Sequence, residues 1–212
     1  MRVGILGSGD VARALGAGFV ARGHDVVLGT RDAAKLGAWV ADHAGAGAGS
    51  FADAARHGDV VVLAVKGQVA ADVLRLAGPE HLRGKPVIDT TNPIADAPPE
   101  HGVIRFFTDL NESLMERLQA GFADLRLVKA FNSVGNAQMV DPAFDQGPPT
   151  MFICGNDDAA KRTVRDILVD FGWDVADMGR VEAARAIEPL CILWCIPGLR
   201  DNRWNHAFKL LR

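Results

Sequence analysis

The sequence predicts an α/β protein: a Rossmann-type doubly wound, mostly parallel sheet with a small C-terminal cap. Three observations predict it. Short runs rich in Val, Ile and Leu alternate along the chain with amphipathic stretches of helical length. Those runs are almost unbroken in apolar character, as strands covered on both faces require. The first of them passes into a turn of the form Gly-x-Gly-x-x-Ala at Gly7, Gly9 and Ala12.

The elements follow in order. A strand is expected at 3–6, then a helix over 11–22 whose Leu15, Gly16 and Phe19 keep one face on the sheet. Gly23-His24-Asp25 turns the chain into a second strand at 26–28, followed by helices over 33–43 and 52–57. Strands at 60–65, 87–89, 127–130, 151–154 and 173–176 come next. They alternate with helices over 69–76, 112–120, 158–171 and 181–195. Pro93, Pro98 and Pro99 mark 90–102 as a loop, and Pro142, Pro148 and Pro149 mark 133–150. Both follow strands, so both belong at the carboxyl edge of the sheet, where open α/β sheets bind ligands. The expected division is a nucleotide-binding domain over 1–135 and a smaller α/β extension over 136–212, packed on the same sheet.

Bulk properties exclude several classes. The formal charge is −3 with the two signs interspersed, so no basic block exists to neutralise a nucleic-acid backbone. No stretch is apolar for long enough to span a bilayer, and the first strand leaves no room for a signal peptide. Three cysteines, Cys154, Cys191 and Cys195, without metal-ligand spacing fit reduced thiols and a cytoplasmic location. Cys191 and Cys195, four apart on a helix, read better as small buried hydrophobes than as a redox pair.

The glycine-rich turn carries the first function. Gly7 permits the tight turn, Gly9 has no side chain to block a pyrophosphate, and Ala12 lets the helix lie close to the strand. The helix N-terminus then faces the phosphates. Asp10 is an anion at this anion-binding end, and either solvent or Arg13 can take it up. An NAD-preferring site ends its second strand in an acid. Here the strand ends Gly29-Thr30-Arg31, with Lys35 one turn on. A hydroxyl, a planar guanidinium and an ammonium suit a 2′-phosphate, which favours NADP(H). The alternative is that Arg31 and Lys35 are ordinary surface cations.

Three further strands deliver polar loops to the same edge: Ala64-Val65-Lys66, Asn92-Pro93-Ile94, and Ala130-Phe131-Asn132. These should line the nicotinamide half of the cofactor. Asn92 and Asn132 suit a carboxamide or ribose, or are simply turn-formers, and Pro93 and Ile94 suit packing on the ring. There is no Ser–Tyr–Lys set, nucleophile elbow or metal cluster, and the six histidines are scattered. A site without an evident acid is better matched to hydride transfer between two rings, which needs alignment, than to carbonyl reduction, which needs a proton donor.

Gly4-Ile5-Leu6-Gly7-Ser8-Gly9-Asp10, Gly29-Thr30-Arg31, Thr91-Asn92-Pro93 and Val128-Lys129-Ala130-Phe131-Asn132 together resemble the NADPH-dependent deazaflavin (coenzyme F-420) reductase family. That family is related to the oxidoreductase domain of the six-transmembrane metalloreductases. Ile153-Cys154-Gly155-Asn156-Asp157 and Ile187-Glu188-Pro189-Leu190 fit as well. The resemblance implies a homodimer passing hydride between NADPH and a deazaflavin or flavin as small-molecule acceptor. It places Ser8, Gly9, Asp10 and Val11 on the pyrophosphate and Thr30, Arg31 and Lys35 on the 2′-phosphate. Val65, Asn92, Ile94 and Ala130 fall on the nicotinamide side. The first loop reads Gly-Ser-Gly-Asp rather than Gly-Gly-Thr-Gly, nearer the metalloreductase version, and Lys66 replaces an apolar residue. Competing readings are a reductase of a small imine or hydroxy acid, and an NADPH-binding redox sensor without turnover. The first usually needs a long helical C-terminal domain, whereas only 36 residues follow Ala176.

Overall fold

The computed structural model describes residues 1–211, among which eight strands occur. They are β1 (Arg2–Leu6), β2 (Asp25–Gly29), β3 (Ala46–Gly49), β4 (Val60–Leu63), β5 (Pro86–Asp89), β6 (Arg126–Lys129), β7 (Thr150–Gly155) and β8 (Asp174–Asp177). The helices are α1 (Asp10–Ala21), α2 (Gly37–Asp42), α3 (Phe51–His57), α4 (Ala70–Ala77), α5 (Pro79–Leu82), α6 (Leu114–Gly121), α7 (Asp158–Asp170), α8 (Ala184–Ile187) and α9 (Leu190–Asp201). One sheet runs in the order β3-β2-β1-β4-β5-β6-β7-β8. Strands β1 to β6 are mutually parallel, and the order reverses beside β1, which opens a crevice at the carboxyl ends of β1 and β4.

Alternate residues of each strand enter different cores. Val3, Ile5, Val60, Val62, Ile88 and Val128 pack with Leu15 and Phe19 of α1 and Val164 and Leu168 of α7. Leu6, Val61, Leu63, Val87 and Leu127 pack on the opposite face with Phe51, Leu74, Leu118 and Ile187. The doubly wound expectation therefore holds, with helices on both faces.

Three features differ in detail from the sequence reading. β3, of sequence Ala-Gly-Ala-Gly, is an edge strand that no β-forming side chain announces; it exists because its backbone pairs with β2 from Val26↔Ala46 to Gly29↔Gly49. β7 runs antiparallel to β6, because the chain returns through the irregular segment after β6 rather than through a crossover helix. The expected helix over 181–195 is instead a 3-10 turn, α8 and α9, interrupted at Glu188 and Pro189, and α9 continues to Asp201. Proline has no N–H to continue the ladder of the preceding turn.

Beyond α9 the chain folds back over its own helix. Trp194 is buried, donates from Nε1 to the His206 carbonyl at 2.9 Å and stacks on the His206 ring. The backbone then reaches β7, where the Thr150 N–H donates to the Phe208 carbonyl at 2.8 Å. His206 is thus a packing partner of Trp194. No helix among residues 1–211 is long and apolar enough to cross a membrane.

Helix α6 is fastened at its first turn. Ser113 and Glu116 form a reciprocal capping box, and Arg185 Nε donates to Glu116 at 3.0 Å, joining α6 to α8. Burial raises the Glu116 pKa, but the Arg185 and Ser113 bonds outweigh it and hold it below the usual carboxylate range. A lowered folded value means stability present above the unfolded pKa and lost as pH falls through the folded one. Glu116→Gln is therefore expected to flatten the stability–pH curve below about pH 4.5. Denaturant melts of both proteins across the acid range check this; parallel curves would refute it.

Candidate functional site

The turn between β1 and α1 is shaped by Gly7. Its φ is +148°, and a Cβ there would come within 2.1 Å of the Ala64 carbonyl oxygen, so the turn lies directly against the end of β4. Its N–H donates to the Gly29 carbonyl at 2.9 Å, which locks the turn to β2. Gly9 is the N-cap of α1 and makes no side-chain cap, so the first-turn N–H groups of a twelve-residue helix point into the crevice without an acceptor of that kind. A Cβ at Gly9 would meet nothing within 4 Å. This open, capless helix start fits a diphosphate, which brings the acceptor oxygens itself.

A diphosphate site and a turn of purely structural purpose separate by experiment. Gly9→Ala is expected to leave stability within about 0.5 kcal/mol, since its backbone is extended and its surroundings empty. NADPH affinity should nonetheless fall about tenfold or more, because the new methyl stands where the phosphates approach. Thermal melts with and without NADPH read both; a drop in apo stability, or unchanged affinity, would count against the assignment.

Other expected site residues take these places. Ser8 is half-buried and its hydroxyl accepts from Thr30 Oγ1 at 3.3 Å, joining the tips of β1 and β2. Asp10 is exposed, and Val11 half-buried. Arg13 forms no ion pair with Asp10 and donates through Nε to the Ser8 carbonyl at 3.1 Å. Arg31 is exposed and forms no ion pair among the described residues. Asp32 accepts from the Ala34 N–H at 3.2 Å as cap of the following 3-10 turn, and Lys35 leans toward Asp32 at 3.8 Å. The acid near the tip of β2 is thereby occupied with its own turn.

At the ends of β4, β5 and β6, Val65 is half-buried, Lys66 exposed, Pro93 buried and Ile94 40% exposed, while Ala64 and Ala130 are buried. Asn92 and Asn132 meet. Asn92 Nδ2 donates to the Asn132 carbonyl at 2.7 Å, and Asn132 Nδ2 donates to Asn92 Oδ1 at 3.3 Å and to the Ile187 carbonyl at 2.9 Å. Two acceptors around Nδ2 settle the orientation of the Asn132 amide. Its Oδ1 is buried without a partner among the described residues. Between them Phe131, 1% exposed, adopts a left-handed backbone with φ +61°, a conformation that costs about 1 kcal/mol or more in a non-glycine residue.

Behind these amides lies a charged cluster that the sequence reading did not single out as a unit. Lys129 is wholly buried, with Nζ 2.8 Å from Asp89 Oδ2 and 2.9 Å from Glu188 Oε1, and it donates to the Thr91 carbonyl at 2.8 Å. Burial disfavours the ammonium, but the two carboxylates outweigh it and its pKa stands above the ordinary lysine value. Burial likewise pushes the neighbouring Cys154 thiol up to about 12. One signal was available: Asp89 and Lys129 each end a strand directly after two apolar residues, where a charge requires a buried partner.

Known proteins are similar to this chain in sequence and fold. The sequence profile of the family described as NADP oxidoreductase, coenzyme F420-dependent, matches residues 2–93. The chain is 32% identical to a solved structure from Arthrobacter sp. FB24 that carries the provisional description of an F420-dependent NADP reductase. The two superpose with a TM-score of 0.92 and cover 100% of each other. The F420-dependent NADP reductase of Methanocaldococcus jannaschii is 28% identical over 90% of this chain and 89% of its own. Metalloreductase STEAP3 of Rattus norvegicus is 31% identical over 93% of this chain, which spans only 38% of that protein. An imine reductase of Streptomyces aurantiacus, 18% identical with a TM-score of 0.68, shares the fold. With an Arthrobacter relative above 30% identity matched over its whole length, the chain belongs to the coenzyme F420-dependent NADP oxidoreductase family and is an NADP-dependent oxidoreductase.

Proposed function

We propose that this enzyme moves hydride between NADP(H) and a deazaflavin of the coenzyme F420 type, in the open groove along the carboxyl ends of β1, β2, β4, β5 and β6. Bound there, NADPH supplies the hydride, and the acceptor ring takes it up with a proton from solvent. The observation that carries the reading is Arg31: a cation without an ion pair among the described residues, at the tip of β2, beside an acid already committed to capping. Ser8, Gly9, Asp10 and Val11 surround the pyrophosphate, and Thr30, Arg31 and Lys35 the 2′-phosphate. The Asn92–Asn132 amide pair meets the carboxamide of the nicotinamide, with Ala64, Val65, Lys66, Pro93, Ile94 and Ala130 along the ring.

The chain's own groups favour alignment over acid catalysis. Five of the six histidines are engaged elsewhere: His24 with the N-terminus, His43 with Trp39, His57 with Asp25, His81 with Arg56 and His206 with Trp194. Ring-to-ring transfer needs mainly orientation and exclusion of competing reactions. Residues 1–135 form the nucleotide-binding part, and 136–212 the extension that borders the acceptor side. A homodimer acting in the cytoplasm, with a small molecule as its partner, completes the proposal. Exposed Leu193 and Leu199 on α9 are its candidate dimer contacts.

The test follows NADPH oxidation by absorbance with F420, FMN, FAD or no acceptor, and repeats each with NADH. F420-dependent oxidation with strong preference for NADPH is the expected result. Tight NADPH binding without oxidation by any acceptor would sink the reading and favour a redox sensor.

A further inference from the structure

We infer that Glu188 is a positioning residue for the nicotinamide edge, acting through Lys129 and the left-handed turn at Phe131. The inference rests on the reading of Asn132 as a partner of the nicotinamide carboxamide.

Glu188 is 1% exposed and sits at the break between α8 and α9. Its carboxylate accepts from the Leu114 N–H at 2.9 Å and the Met115 N–H at 3.0 Å, and lies 2.9 Å from Lys129 Nζ. One side chain thus joins the start of α6, the end of β6 and the extension. Lys129 carries the link on to Asp89 and to the Thr91 carbonyl, the residue before Asn92.

The contacts close a circuit. From Lys129 the backbone runs through Ala130 and Phe131 to Asn132, whose Nδ2 donates to the Ile187 carbonyl. Ile187 is followed by Glu188, which returns to Lys129. Inside this circuit lies Phe131, in a backbone conformation that persists only where surroundings over-determine it. One ammonium among two buried carboxylates is a poor source of net stability compared with apolar packing. What the cluster supplies is geometry: it fixes the turn that sets the Asn92–Asn132 amide pair at the edge of the groove. Gly9 and Arg31 lie in the turns that follow β1 and β2, so the adenosine half of the site is independent of it.

The test uses Glu188→Gln in the full chain, with three readouts: NADPH dissociation constant, nicotinamide fluorescence of the bound cofactor, and amide exchange by segment. The expected result is a dissociation constant within about threefold of the parent, with ring fluorescence enhancement at least roughly halved. Exchange over 130–134 should speed up about tenfold or more, with 4–13 unchanged. Arg31→Ala should show the converse split, with weaker binding and unaltered fluorescence once saturated. Unchanged fluorescence and exchange in Glu188→Gln would overturn the inference. So would uniform loss of binding and protection, which marks a purely structural role. If Glu188→Gln does not fold, Glu188→Asp, which keeps the charge and shortens the reach, is read against the same outcomes. If parent binding itself leaves nicotinamide fluorescence unaltered, the edge reading falls and this inference with it; an intact edge with an unaffected variant removes the inference alone.

Discussion

Arg31→Ala is expected to weaken NADPH binding roughly 10- to 100-fold while leaving NADH binding almost unchanged. A hydrogen bond to a charged group contributes about 1.5–3 kcal/mol, and each ~1.4 kcal/mol is a factor of ten. Arg31 makes no ion pair among the described residues, so its guanidinium is free to meet a phosphate without first breaking a contact. Lys35 is differently placed. Its ammonium lies 3.8 Å from Asp32, and both are exposed, so Lys35→Ala should cost only about threefold. Arg31→Lys should recover part of the loss, because it keeps the charge and gives up the planar fork. Since the site is exposed, the Arg31 effect should shrink as salt rises. Titrations of both cofactors at two ionic strengths are the measurement. Equal weakening of NADH would mean that Arg31 shapes the fold of the β2 tip rather than reading the 2′-phosphate.

The largest stability effect is expected at Lys129. Lys129→Met removes the cation between Asp89 and Glu188 and leaves two buried carboxylates facing each other. Losing one member of such a cluster costs about 3–5 kcal/mol, which for a chain of this size lowers the melting temperature by about 6–20 °C. The pH dependence changes with it. In the parent the Lys129 pKa is raised, so its contribution is complete below the unfolded lysine value of about 10.4 and is lost only as pH rises through the folded value. In the variant the unpaired carboxylates bind protons more tightly folded than unfolded. Its stability should therefore improve as the medium is acidified from neutral. Combining Lys129→Met with Asp89→Asn and Glu188→Gln should restore part of the loss. Denaturant melts near neutral and at mildly acidic pH decide the matter. A Lys129→Met protein as stable as the parent would show that the cluster is neutral to folding.

How much of this was legible beforehand depends on the range of the interactions. The glycine turn at Gly7 and Gly9, the apolar strands and the cation at the tip of β2 all express themselves within a few residues, and each is where the pattern placed it. Even the irregular segments after β5 and β6 were signalled by their prolines. Asp32 was harder to weigh, because its commitment to the 33–36 turn appears only once that turn is built.

By itself, then, the sequence determined the alternation of strands and helices, the glycine turn after β1 and the cation at the tip of the second strand, because these follow from local sterics, periodicity and single side chains. Tertiary structure decided the rest. β3 is a strand only because β2 offers it a hydrogen-bonding edge, its Ala and Gly carrying no preference of their own. β7 reverses direction only because no helix crosses back over the sheet before it. The Asp89–Lys129–Glu188 cluster joins residues 40 to nearly 100 positions apart. No local pattern encodes such a pairing; it arises when charged strand ends are buried together and must neutralise one another.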